Sequence, residues 1–274
     1  MLDPNIIKDD ELEILLTDVS SLYGYDFTQY SRASLKRRLN RICVIDKFTS
    51  FAELRYNLIH HPEYLQRFIE EITVNVTEMF RDPHFYKALR EKVFPQLGTY
   101  PFIRIWLAGC ATGEEAYSIA ILLKEANLYN RSLIYATDIN PGVLEKARMG
   151  IFSISQMKQY SENYILSGGT ADFSQYYTAN YDMVKFHADL KEKMIFSTHN
   201  LVSDSSFNEF QLVICRNVLI YFEKELQNKV FRLFDDSLDN LGFLALGAKE
   251  TIRFSNLETS YKQIKGEKIW KKIK

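Results

Sequence analysis

The sequence holds 274 residues, 46% hydrophobic and 25% charged, with 34 Lys and Arg against 35 Asp and Glu for a net charge of −1. At roughly 150 residues per domain this length predicts about two domains with a sizeable core, and the composition excludes a disordered or fibrous chain. The charge balance argues against a general nucleic-acid binder, and apolar stretches such as Ile119–Leu123 fall far short of the roughly 18 residues that span a bilayer, so no membrane insertion is expected.

The opening Met1-Leu2-Asp3-Pro4-Asn5 lacks a basic stretch followed by an apolar one, so no secretory leader is expected. Residues 1 to about 75 read as a helical bundle. Leu12, Leu15, Leu16 and Val19 recur at helical spacing, as do Leu35, Leu39 and Ile42, and then Phe51, Leu54 and Leu58. His61-Pro62 breaks the pattern before another helical run over 64–72. The pattern changes after Pro95. Residues 102–108 form a buried-strand candidate, followed by the small-residue loop 109–113 and a helix to Ala126. A second strand is predicted over 132–138, and a helix starts at Asn140-Pro141 and stops near Gly150. Three short β-prone segments, 176–178, 183–186 and 193–196, suggest a small antiparallel insertion over 172–196. A third strand is predicted over 211–215, a long amphipathic helix over 223–241, a strand over 242–247, and a last segment, 268–273, that pairs back against it. Alternation of strand and helix predicts an α/β part with a mainly parallel sheet. Cys43, Cys110 and Cys215 are odd in number and widely spaced, which supports no disulfide framework and makes the cytoplasm the expected compartment. None of the five histidines has ligand spacing to another His or to a Cys, so no metal is expected.

Five features could carry chemistry. Parallel sheets bind ligands in the crevice at the carboxyl ends of their strands. The loop Ala108-Gly109-Cys110-Ala111-Thr112-Gly113 lets a ligand approach the backbone closely there, although Thr112 and Glu115 also have the spacing of a capping box. Asp138 closes the second strand 25 residues beyond Gly113, where an acid receives ribose hydroxyls in doubly wound folds; the alternative is a cap for the Asn140-Pro141 helix. Asn75-Val76-Thr77-Glu78-Met79-Phe80-Arg81 lies at the junction of the two parts of the sequence. Its Arg81 offers a planar cation suited to a carboxylate, and the plain alternative is a capped helix start. Arg216 and Asn217 end the apolar strand at the same sheet edge, with Tyr221 shortly after; a buried Arg paired with an acid is the alternative. Arg32, Lys36, Arg37, Arg38 and Arg41 occupy a stretch without an acid, which suggests an acidic partner rather than a mixed solvated face.

These motifs, in this order, resemble the chemotaxis receptor methyltransferases (the CheR family). The resemblance rests on the Asn-x-Thr-x-Phe-Phe-Arg segment, the Ala-x-x-x-Thr-Gly-Glu-Glu loop, the Ala-Thr-Asp strand end, an Asn-Leu step and the Cys-Arg-Asn-Val-x-Ile-Tyr-Phe strand, and it covers nearly the whole chain. It implies a Rossmann-like methyltransferase sheet over 81–274, an all-helical domain over 1–80 and the antiparallel insertion at 172–196. It also implies an enzyme that methylates glutamate side chains on the cytoplasmic helical region of chemotaxis receptors, using S-adenosylmethionine and releasing S-adenosylhomocysteine.

Carried over by position, the family's cofactor contacts fall on Asn75, Thr77, Arg81, Glu115, Asp138, Asn200, Leu201, Arg216 and Asn217. Tyr221 matches a tyrosine that orients the reacting groups, and Arg81 and Tyr221 are the catalytic candidates. Arg32, Lys36, Arg37, Arg38 and Arg41 match the receptor-contacting helix. Met79 departs from the family's first Phe as an apolar filler, and Gly247-Ala248-Lys249-Glu250 stands where the family often has Gly-His-Ser-Glu. The insertion is short where some members grip a receptor's C-terminal pentapeptide, so such tethering is not expected. A glutamate substrate, with a pKa near about 4.3, is ionised at neutral pH and needs no general base, in keeping with a chain that shows no Ser-His-Asp or Cys-His arrangement. The alternatives are a cofactor-binding signalling or scaffold module, or a methyltransferase of another protein.

Overall fold

The computed structural model describes residues 7–273; the Met1–Asn5 stretch read for a leader lies outside them. The chain divides into two compact units, Met1–Asn75 with Leu219–Val230, and Val76–Val218 with Phe231–Lys274.

The first unit is helical. α1 (Asp9–Tyr23) buries Leu12, Leu15, Leu16 and Val19, the stripe legible in the sequence, and stops at Gly24, whose φ of 76° suits a left-handed cap. α2 (Arg32–Ile45) buries Leu35, Leu39 and Ile42. α3 (Phe51–His60) is capped by Ser50, whose side chain accepts the Glu53 N–H, and ends at the His61-Pro62 break. α4 (Tyr64–Ile72) buries Phe68, Ile69 and Ile72. Phe27 sits fully buried with its ring edge-on to Tyr30 and Phe68, and Tyr30 meets Phe222 in the same way. The second chain segment is tied in by its backbone: Ser31 N–H donates to Tyr221 O at 2.8 Å and Glu223 N–H to Gln29 O at 2.9 Å.

The second unit is built on a seven-stranded sheet. In chain order its elements are α5 (Pro83–Ala88), a π-helical turn (Leu89–Val93), α6 (Phe94–Leu97), β1 (Ile103–Ala108), α7 (Glu114–Glu125), β2 (Ser132–Asp138), α8 (Pro141–Met149), β3 (Ile151–Ser153), α9 (Met157–Leu166), β4 (Tyr177–Asn180), β5 (Met183–Phe186), β6 (Met194–Thr198), β7 (Phe210–Cys215), the later part of α10 (Lys224–Ser237), β8 (Leu238–Leu246), β9 (Tyr261–Gln263) and β10 (Ile269–Lys272). The sheet order is β6-β2-β1-β7-β8-β10-β9; the first five strands run parallel, and β10 and β9 close the edge antiparallel. β1 and β7 are apolar runs buried almost throughout, as a strand covered on both faces requires. Trp106 anchors one face, donating from Nε1 to Thr137 Oγ1 at 2.8 Å. The other face meets α7, which buries Ile119, Ala120, Leu122 and Leu123.

Three sequence expectations change. The segment at 193–196 does not join the antiparallel insertion: β6 adds in parallel to β2, with Ile134 opposite Met194 and Asp138 opposite Thr198. The three-stranded antiparallel sheet is instead β3-β5-β4, completed by Ile151–Ser153. The helix expected to reach Leu241 ends at Ser237. Leu238 pairs with Phe210 across a register shift in β7, and Leu241 takes φ 67°, a conformation no helix continues through. The stretch 73–82 is irregular backbone rather than a helix start; Phe80 and Asp82 have φ of 52° and 57°, and the helix begins only at Pro83.

Candidate active site

The parallel strands of the second unit deliver the ends of β1, β2, β6, β7 and β8 to one edge of the sheet. Each expected site residue of that unit sits at the end of one of these strands, on the turn or helix that follows it, or on the 73–82 segment.

The β1–α7 loop turns tightly. Gly109 and Cys110 N–H groups both donate to Thr137 O, at 2.8 and 2.9 Å, which holds the loop against the end of β2. Gly109 has φ 82°, and a Cβ there would stand 2.4 Å from Val218 Cγ2, so glycine is required both by conformation and by contact. Gly113, with φ 96°, caps α7. Thr112 donates to Glu114 at 2.7 Å, so the capping box expected with Glu115 does not form.

Glu115 is freed for another role. Its Oε1 accepts Arg216 Nη1 at 2.8 Å, and the Tyr86 hydroxyl approaches the same oxygen at 3.4 Å. Arg216 is committed to its own chain: its side chain is 3% exposed, Nη2 donates to Asp82 Oδ2 at 2.7 Å and to Arg81 O at 2.8 Å, and the guanidinium lies 4.2 Å from the Phe85 ring centre. Burial pulls its pKa down, but Glu115, Tyr86 and Asp82 outweigh that and hold it above the ordinary arginine value. Two carboxylates around one guanidinium leave a unit of negative charge, and Glu115 Oε2 faces no partner among the described residues.

Asp138 ends β2 nearly buried, 8% exposed. Its Oδ2 accepts the Ala111 N–H at 2.9 Å and its Oδ1 the Asn140 N–H at 3.0 Å, while the helix cap itself is Asn140, whose side chain accepts from Gly142. Asp138 thus joins the β1 loop to the β2 turn, and with about four acceptor sites its carboxylate keeps capacity for a further donor beside the Ala111, Asn140 and Ile139 N–H groups. Burial raises its pKa, against the pull of the Asn140 and Ala111 N–H groups. His199 N–H donates to Asp138 O at 3.1 Å, which brings the Asn200-Leu201 step after β6 beside Asp138. Asn200 is nearly buried and its Oδ1 accepts the Val202 N–H at 3.0 Å.

Asn217 takes φ 61° just past β7, and its N–H and that of Val218 donate to Glu250. Glu250, 4% exposed, was not singled out from the sequence as a site residue; its signal is only the departure at 247–250. Arg81 donates from Nη1 to Val76 O at 3.2 Å, bracing the irregular segment that also carries the half-buried Thr77.

Asn75, Tyr221 and the basic helix belong to the helical unit. Asn75 Nδ2 reaches Thr73 Oγ1 at 3.1 Å and Glu70 O at 3.3 Å near the end of α4. On α2 the acids missing from the local sequence arrive from other helices: Arg32 pairs with Glu13, Lys36 with Asp9 at 2.9 Å and Arg41 with Glu71 at 3.5 Å. Arg38 donates to Glu71 O at 3.1 Å, and burial pulls its pKa down while nearby Tyr221 raises it. Arg37 is exposed and has no ion pair among the described residues.

The donor set fits a nucleoside joined to an amino acid. Asp138 offers acceptor capacity at a strand end suited to a ribose, and the net negative charge of the Glu115–Arg216–Asp82 cluster suits an ammonium group. Among the described residues no cluster of His, Cys, Asp and Glu could hold a metal, and no helix is long and apolar enough to cross a membrane.

Residues 75–269 match the family model described as CheR methyltransferase, SAM binding domain, and residues 10–73 match CheR methyltransferase, all-alpha domain. The chain is 45% identical over 266 residues to Cher3 of Pseudomonas putida, provisionally named a methyltransferase, covering 96% of this chain and 97% of that protein. It is 34% identical to the chemotaxis protein methyltransferase of Salmonella typhimurium, over 86% of this chain and 79% of that one. A Listeria innocua protein of the same name is 32% identical, over 84% and 85% of the two chains.

Proposed function

This chain belongs to the CheR methyltransferase family, and on that premise we propose that it methylates glutamate side chains on the cytoplasmic helical region of chemotaxis receptors, working in the cytoplasm. It is an S-adenosylmethionine-dependent methyltransferase by family, and the proposal concerns the acceptor. The single observation that supports the acceptor is the likeness over most of the chain to relatives named chemotaxis protein methyltransferase, while the acidic pair around Arg216 and Asp138 supply the cofactor end of the site.

The cofactor supplies an electrophilic methyl group on a sulfonium. Glu115, held by Arg216, accepts the cationic amino-acid end through Oε2. Asp138 takes the ribose hydroxyls while its backbone donors fix its rotamer. Thr77, Asn200, Leu201 and Asn217 complete the cofactor contacts of this unit, Asn75 keeps the contact role that the resemblance gives it, and Arg216 acts by holding Glu115 and Asp82. Arg81 places the substrate carboxylate, and Tyr221 keeps the orienting role that the resemblance gives it. No residue has to remove a proton, because a glutamate carboxylate is already ionised at neutral pH. The chain's contribution is then orientation, which is worth up to roughly 7–11 kcal/mol when reactants are well aligned. Arg37 on α2 faces solvent with its charge available to an acidic receptor helix.

The test is incubation of the protein with methyl-labelled cofactor and membranes bearing chemotaxis receptors. Label should enter the receptor band and leave as volatile methanol in mild alkali, as a carboxylate ester does. Label that resists alkali, or none on the receptor despite cofactor binding, rules the reading out.

A further inference from the structure

After β8 the chain turns through Gly247-Ala248-Lys249-Glu250, with the Glu250 N–H donating to Gly247 O at 2.9 Å. The turn folds the Glu250 carboxylate inward until the residue is 4% exposed. There it accepts the N–H groups of Gly247 at 2.7 Å, Asn217 at 3.0 Å and Val218 at 2.9 Å. Hydrogen bonds from backbone donors to an ionised carboxylate are among the strong ones. Two of these three belong to the turn that leaves β7.

That turn needs a hold. Asn217 has φ 61°, in the left-handed region that asparagine enters more readily than other residues with a Cβ, and three backbone bonds to one carboxylate select it here. The closeness of the arrangement shows at Gly247, where a Cβ would stand 2.7 Å from Glu250 Oε2 and 2.9 Å from Asn217 N. Val218 in turn presses on Gly109, the first residue of the β1–α7 loop. One buried carboxylate therefore sets the β7 turn and, through Val218, bears on the start of the cofactor loop.

We propose that Glu250 is a positioning residue of the cofactor site, which fixes Asn217 in its left-handed turn at the sheet edge and so aims the Asn217 amide at S-adenosylmethionine. The proposal rests on the assignment of Asn217 to the cofactor. Replacing Glu250 by Gln turns one acceptor oxygen into a donor that confronts a backbone N–H, and the turn loses the tie that imposes its conformation.

Calorimetric titration of the full chain with S-adenosylhomocysteine tests this on four proteins: the parent, Glu250→Gln, Asn217→Gly and the double variant. Asn217→Gly removes the amide while leaving positive φ open. Each single change should weaken binding roughly 10- to 100-fold. The double variant should bind little worse than the weaker single, because both act through one side chain. Parental affinity in Glu250→Gln beside a weakened Asn217→Gly overturns the proposal and leaves the Asn217 assignment standing. Parental affinity in Asn217→Gly overturns the assignment and the proposal with it. Fully additive losses also overturn the proposal, since a merely structural Glu250 would give them. If Glu250→Gln does not fold, Glu250→Asp, which keeps the charge on a shorter arm, replaces it under the same expectations.

Discussion

Arg216 and Glu115 stand 101 residues apart in the chain, and Arg216 Nη1 donates to Glu115 Oε1 at 2.8 Å. With Asp82 on its other arm, Arg216 ties the end of β7 to the start of α7 and to the turn before α5. Arg216→Met leaves the Glu115 charge nearly buried without its counter-ion. Breaking such a pair costs about 3–5 kcal/mol, and the half-exposed Asp82 places this change toward the lower end. Urea denaturation should show the loss, and Glu115→Gln added to Arg216→Met should restore part of it; a double variant less stable than the single would contradict the charge argument.

Glu115→Gln alone keeps Arg216 paired with Asp82. Affinity for S-adenosylmethionine should fall roughly tenfold or more, the worth of a charged hydrogen bond. Affinity for 5′-methylthioadenosine, which has no amino-acid end, should stay at the parental value. Equal losses for both ligands would move Glu115 away from the ammonium group.

Asp138 gives a pH signature. Burial raises its folded pKa, so the folded chain binds this proton more tightly than the unfolded chain, whose Asp titrates near about 3.9. As pH rises from that value through the folded pKa, the native state carries the extra proton and stability falls; above it the cost is complete. Measured against Asp138→Asn by denaturant titration, the parent should lose stability across this window and run parallel beyond it. Affinity for 5′-methylthioadenosine should climb over the same window as the carboxylate ionises. A stability difference that is constant from acid to neutral pH would show that Asp138 is not the strained group.

How far the sequence discloses this molecule depends on the range of the interaction. β1, β2 and β7 were legible because a strand covered on both faces must be an apolar run, and α1 to α4 because their buried stripes keep helical spacing. β6 was misplaced because an edge strand is half exposed and reads like any short hairpin strand. The end of α10 was misread because Leu238 continues the helical stripe, while its pairing with Phe210 lies in another segment. In the site, the residues themselves were visible and their partners were not. Nothing near Arg216 foretells Glu115 or Asp82, nothing near α2 foretells Asp9, Glu13 and Glu71, and Glu250 sits in what reads as an ordinary turn.

Gly109→Ala tests the close approach at the β1–α7 loop. The new methyl meets Val218 Cγ2 and the residue is held at φ 82°. A cost of about 2 kcal/mol or more in urea denaturation is expected, from overpacking and backbone strain together. Adding Val218→Ala should relieve the overpacking and leave the strain, so recovery should be partial. Full recovery would assign the whole cost to the contact.

Arg37→Glu reverses an exposed charge without breaking an ion pair among the described residues. Stability should shift by less than about 0.5 kcal/mol, and cofactor affinity should hold. On the proposed receptor reading, the KM for receptor should rise several-fold, and the rise should shrink as salt is added. An unchanged KM would remove this face of α2 from receptor contact.

The helical unit takes in Leu219–Val230 as well as the first 75 residues, so it is built from two separate stretches of the chain. Freeing it from the sheet takes scissions after Asn75, Val218 and Val230. A graft of residues 1–75 onto another methyltransferase would leave behind Tyr221, whose carbonyl receives the Ser31 N–H, and Phe222, against which Tyr30 rests. A transplant of the helical unit into another chain therefore has to carry both stretches together.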